Sequence, residues 1–247
     1  MAAQRQAAKQ ALRNALTHCG GDPQQDAIAA ALEDLVRLNP TPDPAQRFDL
    51  AQGNWRLISA PSFPDGERQE DGTYVYRLGR LAFNLFQPQD LRVQIDEVWQ
   101  PVFPLGDRSR HSHDIVVTFT TLGTAGPPLQ GQVRNLGVCE PQDETHIQVQ
   151  FTGGVLEPIA QTDRQQWQQV FGDRTDTPRS SWKERGQGLF LRLMFGFVPP
   201  GAMDPQTGKR EFQMKRSPKG TLEILYLDEE LRITRGEKGT VLVCERV

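Results

Sequence analysis

A mainly β, antiparallel fold behind an N-terminal helical hairpin is predicted by three features of this chain. Two apolar stripes at helical spacing occupy residues 1–38, a proline-rich break covers residues 40–44, and short period-two segments then run to the C-terminus. Short strands separated by turn signals favour a sandwich or barrel over a parallel α/β sheet. The 247 residues allow a sizeable core, divided here into a hairpin at 1–38 and a β domain at 45–247.

The first helix follows from Ala8, Ala11, Leu12, Ala15 and Leu16, which share one face between Gln, Arg and Lys residues. Gly20 and Gly21 stop it, because glycine accepts the left-handed conformation that closes a helix. Asp22 as N-cap, Pro23 at the first helical position and Gln25 three residues on predict a second helix. Its stripe is Ile28, Ala31, Leu32 and Leu35, and Asn39 before Pro40 ends it.

After the prolines, strands are expected at 54–59, 73–77, 91–99, 114–121, 132–138 and 145–151, and again at 221–227, 231–234 and 240–246. The cleanest alternates Ile147, Val149 and Phe151 with Gln148 and Gln150, a half-buried strand with one wet face. Helical spacing returns only at 163–171, with Thr162 and Gln165 as capping residues. The polar stretch 175–186 reads as a loop. Leu189, Leu191, Leu193, Phe195 and Phe197 then form an apolar face, either a central core strand or the cover of an opening.

Twenty-eight basic against 31 acidic residues leave a net charge of −3, which supplies no bulk attraction for nucleic acid or an anionic membrane. No apolar run approaches membrane-spanning length. Cys19, Cys139 and Cys244 are odd in number and widely spaced, the pattern of free thiols in a reducing compartment. Residues 1–15 lack the character of a signal or transit peptide, so a cytoplasmic chain beginning at Met1 is expected. Phosphate loops, nucleophile elbows and metal-binding helical motifs are missing from the sequence. His111, His113 and Asp114 follow Arg110 and read as a solvated loop entering a strand, with no metal assigned.

Gly53 and Trp55 open the first expected strand, where glycine permits a tight turn and an indole closes a barrel end. The linker from Leu38 to Pro44, the segment Gly53–Ile58 and the run Leu227–Gly236 together resemble the plastid lipid-associated protein (PAP/fibrillin) family. The resemblance spans nearly the whole chain and is most specific in the C-terminal run. It implies a lipocalin-like (calycin) barrel and, without a transit peptide, a cyanobacterial member.

The function it implies is non-enzymatic: a carrier for a hydrophobic small molecule such as a carotenoid, quinone, prenyl lipid or fatty acyl chain. The location would be peripheral, on thylakoid membranes or lipid bodies. Candidate ligand-binding residues are Trp55, Leu57, Val117, Phe119, Val149, Phe151, Phe195 and Phe197, with Ile115 and Ile147 beside them. In barrels of this kind a late basic residue crosses the buried tryptophan. Arg232 and Arg235 are the candidates, and alternation does not choose between them. A hollow lumen is expected to hold the guest, with no cofactor required. Two alternatives are a chromophore lyase or isoprenoid-enzyme accessory, needing Arg56, Arg134 or Arg192 inward, and a coat protein using the hairpin and the segment 189–198 as its contacts.

Overall fold

The computed structural model describes residues 1–106, 109–172, 197–198, 200–217 and 219–247. Two helices come first, α1 (Ala2–His18) and α2 (Asp26–Val36). The second starts later than its sequence suggests. Asp22 accepts from the Gln24 amide (3.0 Å) and its carbonyl accepts from Gln25 (3.1 Å), so residues 22–25 form a turn ahead of the helix.

A short helix α3 (Phe48–Ala51) leads into β1 (Gly53–Leu57). Then follow β2 (Glu67–Arg68), β3 (Tyr74–Arg77), α4 (Leu78–Leu81), β4 (Arg92–Val102), β5 (His111–Ser112), β6 (Ile115–Thr121), β7 (Gln130–Pro141) and β8 (His146–Pro158). The chain continues with α5 (Arg164–Phe171), β9 (Phe197–Val198), β10 (Arg210–Met214), β11 (Lys219–Leu227), β12 (Leu231–Gly236) and β13 (Val241–Arg246). Every expected strand is present, most of them shifted by a few residues. Asp163, not Thr162, caps α5, its carboxylate accepting from the Gln166 amide at 2.9 Å.

Eight antiparallel strands close a barrel in the order β1, β4, β6, β7, β8, β11, β12, β13 and back to β1. Three of them carry extra strands, β7 taking β5 through His111 and Ser112. β4 pairs with β3 along Arg92–Ile95 and with β1 along Trp99–Val102. β8 pairs with β11 along His146–Gln150 and with β10 along Gly153–Leu156. Of the greasy segment 189–198 only β9 is described, and it pairs with β10 as the last strand in the sheet order.

The hairpin lies on the outer face of β11, β12 and β13. Leu12, Leu16, Ile28, Leu32 and Leu35 pack there on Tyr226, Leu231, Ile233 and Val243. Each such aliphatic side chain contributes about 1.5–3 kcal/mol relative to exposure. Lys9 crosses the same interface to a buried ion pair with Asp228 (2.6 Å). Burial alone would raise the Asp228 carboxyl, but bonds from Lys9, Tyr226 and the Leu231 and Glu230 amides hold it below its usual value.

Candidate functional site

Two places in the molecule bring functional side chains together: the closed end of the barrel, and a cleft beside the hairpin turn.

At the closed end, Gly53 adopts a positive φ of 132°, and Trp55 enters the interior fully buried. Its indole N–H donates to the Ala51 carbonyl at 2.7 Å. Strand register sets its neighbours. Trp55 faces Gln100 on β4 and Arg246 on β13, while Arg232 on β12 faces Cys244 one row away. The Arg246 guanidinium carbon lies 4.3 Å from the indole ring centre and that of Arg232 5.0 Å, cation–π distances for both. Arg246 also ties the floor together. It donates to the carbonyls of Glu229 (2.7 Å) and Gln52 (2.6 Å), and to that of Leu50.

Arg232 is the interior arginine: it is 3% exposed and donates to Gln100 Oε1 at 2.6 Å. Arg235 is on the opposite face, paired with Glu223 at 2.6 Å in partial contact with solvent. That corrects Arg235 as a lumen candidate. Leu231 and Ile233 are apolar yet point outward, because the hairpin covers them, so the inward face of β12 is the one that carries the charge. Arg246, which makes the closer contact with Trp55, escaped the sequence reading. Its signal was available in the alternation with Cys244.

His111 and His113 are buried rather than solvated, a second correction. His111 stacks flat on Phe48 with ring centres 3.8 Å apart. Burial, with the Arg232 charge adding to it, pushes His113 down to about 3, so its imidazole is neutral at ordinary pH. Burial pushes the Cys139 thiol up to about 12 and raises that of Cys244, despite the nearby Arg232. Protonated thiols and a neutral imidazole offer neither a nucleophile nor a working base. Among the described residues no three His, Cys, Asp or Glu side chains converge on a metal position.

The expected hollow is not found among the described residues. Inside the closed end a void of about 10 Å³, lined by Ala45, Phe48, His113, Cys139, Arg232 and Thr234, has room for a single water at most. Ile147 and Val149 pack with Trp55 in this floor, while Leu57 bridges to the core above.

The far half is filled by residues 78–86 and by α5. Val117, Phe119 and Ile115 pack there with Phe86, Trp167 and Phe171. A Cβ on Gly131 would lie 2.4 Å from the Trp167 ring and 2.9 Å from that of Phe119, so glycine is what lets these rings lie on the barrel wall. Asn135 reaches from β7 to the Leu81 carbonyl at 2.8 Å, tying the filling to the wall. Phe151 is half-buried against Phe83 (5.3 Å). Phe195 lies outside the described residues, as does the loop 175–186, and Phe197 is placed only by its backbone in β9. Arg56 and Arg134 alternate with inward Trp55, Val133 and Asn135 and so project outward, while Arg192 lies outside the described residues.

The cleft is larger. It has a volume of about 450 Å³, is half open to solvent, and lies between the hairpin turn, residues 60–63, β2, β3 and the β12–β13 turn. That volume falls in the range of small-molecule sites, about 300–1,000 Å³. Its apolar wall is aromatic: Phe63 meets Tyr76 edge-on at 5.8 Å, and Tyr74 lies 6.5 Å from Tyr76. Both phenols are spoken for. Tyr76 donates to the Pro61 carbonyl (2.7 Å) and Tyr74 to that of Gly20 (3.2 Å). Burial pushes Tyr76 up to about 12, so it remains a donor. Gly21 comes so close to the barrel that a Cβ would lie 2.9 Å from the Ala60 amide, which donates to the Gly21 carbonyl at 2.8 Å. Sequence patterning did not reveal this cleft, because residues 60–72 carry no periodic signal.

Residues 16–245 match the PAP_fibrillin family model. The chain belongs to the PAP/fibrillin family. No curated protein and no solved structure matched it at a significant level. The barrel of this PAP/fibrillin member is compatible with lipid association, and the family is generally non-enzymatic. Among its described residues no helix is long and apolar enough to cross a membrane.

Proposed function

We propose that this PAP/fibrillin protein binds a lipophilic small molecule without transforming it, and holds that molecule in the cleft beside the hairpin turn instead of the barrel lumen. The observation that carries the reading is the contrast in free volume, about 450 Å³ in an aromatic-walled cleft against about 10 Å³ at the closed end. Apolar ligand surface placed on Phe63, Tyr74 and Tyr76 gains roughly 25 cal/mol per Å² buried. A volume near the lower end of the usual range suits a prenyl, quinone or acyl group better than a whole carotenoid. Membership of a plastid lipid-associated family supports a location at photosynthetic membranes or their lipid bodies.

The alternatives fare less well. A lyase acting on a propionate-bearing chromophore would use inward arginines, and Arg56 and Arg134 project outward. A coat protein gripping lipid through the hairpin would have to expose Leu12, Leu16, Ile28, Leu32 and Leu35, all of which are committed to the barrel.

Native mass spectrometry after incubation with a prenyl alcohol, a benzoquinone bearing a prenyl tail and a fatty acid tests the proposal. At least one is expected to bind with a stoichiometry of about one per chain, as for a single pocket. Phe63→Ala should weaken that complex while Val149→Ala leaves it intact. Binding that is indifferent to Phe63 and lost with Val149 would overturn the cleft assignment.

A further inference from the structure

The cleft contains an unusual charge. Its lining includes one acidic and one basic side chain, Asp22 and Arg68. Asp22 is engaged locally, its Oδ1 accepting from the Gln24 amide at 3.0 Å. Three neighbouring arginines have carboxylates beside them: Arg80 with Asp65 at 2.6 Å, Arg77 with Asp90 at 3.1 Å and Arg92 with Glu67 at 3.0 Å. Arg68, one residue from Glu67, has no such partner among the described residues. Its guanidinium instead lies against the hairpin turn, where a Cβ on Gly20 would fall 2.2 Å from Nη2 and 2.5 Å from the guanidinium carbon. Gly20, at a φ of 68°, therefore serves two needs: it makes the turn and it leaves room for the cation.

The opposite wall is the start of a helix, with the carboxylates of Asp22 and Asp26 beside it. Pro23, Gln24 and Gln25 line the cleft immediately before α2, whose N-cap Gln25 supplies no side-chain acceptor. Aromatic wall, free guanidinium and helix start thus surround one small volume.

From this juxtaposition we propose that the cleft selects a single-chain amphiphile with an anionic carboxylate head. The tail lies on Phe63, Tyr74 and Tyr76, and the carboxylate accepts hydrogen bonds from Arg68. A guanidinium presents parallel N–H donors that match a carboxylate, which a neutral or cationic head does not exploit. The inference rests on the cleft being the ligand site and adds its chemical selectivity.

Calorimetric titration of the full chain at pH 7.5 and low salt with dodecanoate, dodecanol and dodecyltrimethylammonium separates the two. Dodecanoate is expected to bind about tenfold more tightly than dodecanol, the increment of one exposed charge-assisted contact, with the cationic amphiphile weakest. Arg68→Gln should abolish the preference, bringing dodecanoate and dodecanol to equal affinity. Added salt should shrink it, as for any partly exposed ion pair. Equal binding of dodecanoate and dodecanol, or a preference that survives Arg68→Gln, overturns the selectivity while leaving the cleft in place. Failure of all three to bind overturns the cleft reading itself, and this inference with it.

Discussion

The closed end of the barrel and the cleft beside the hairpin turn both combine aromatic rings with arginine, yet they are built for opposite purposes. At the closed end Trp55 is fully buried and its two arginines donate to protein: Arg246 to three carbonyls, and Arg232 to Gln100 through one nitrogen, with its buried Nε left without a partner. In the cleft Phe63 and Tyr74 are partly exposed beside the buried Tyr76, and Arg68 has no carboxylate partner among the described residues. Donors committed mostly to protein in a filled volume make a structural floor; a free donor over an open volume makes a receptor. The same residue types therefore carry different meanings, decided by what remains unbonded around them.

That contrast can be broken most forcefully at the floor. Trp55→Ala removes a fully buried indole and two cation–π contacts, and is expected to destabilise the protein by about 3–5 kcal/mol in urea unfolding. If the floor is purely structural, ligand affinity measured well below the unfolding transition will not change. A second variant sharpens the role of the hairpin, which forms one side of the cleft. Lys9→Ala strands the buried Asp228 carboxylate, and breaking such pairs costs about 3–5 kcal/mol. The lower end is expected here, because the Tyr226 hydroxyl (2.6 Å) and the amides of Glu230 and Leu231 still bond Asp228. Unlike Trp55→Ala, this change should weaken ligand binding, since a loosened hairpin opens the cleft.

The third prediction concerns pH. His113 is held neutral in the fold, its value down at about 3, while the unfolded chain titrates near the ordinary value of about 6.5. Its contribution is therefore fully present above about 6.5 and is lost as the pH falls from there toward 3, by about 1.4 kcal/mol per pH unit. His113→Gln should flatten the stability profile in that window by one proton's slope. Asp228, held low in the fold, adds loss only below its unfolded value, about 3.9. The two effects occupy different pH ranges and can be separated by chemical denaturation at each pH.

Much of the fold could be read from residue spacing because two periods, helical and alternating, are imposed by burial against a core. Closure of the barrel was harder to foresee. It depends on β8 pairing with β7 along its whole length and with β11 along His146–Gln150, while Gly153 and Gly154 erase the alternation further on. The choice between Arg232 and Arg235 was undecidable from alternation alone. A strand covered on its outside by a hairpin has apolar residues on the face that usually meets water, so polarity no longer marks inside from outside.

The same limit explains the filled lumen. Val117, Phe119, Ile147 and Val149 show a wall-like pattern whether they line a cavity or touch Trp167 and Trp55, since both environments exclude water. The cleft stayed hidden for a different reason. It is assembled from Gly20, Phe63, Arg68 and Tyr74, which belong to a turn, a loop and two short strands far apart along the chain.

The most direct measurement is photolabelling with a diazirine-bearing fatty acid, followed by peptide mapping of the adducts. Adducts concentrated in residues 19–25 and 60–76, and competed away by dodecanoate, are the predicted result. Adducts on peptides carrying Val117, Phe119 or Val149 instead would place the guest inside the barrel and contradict the account.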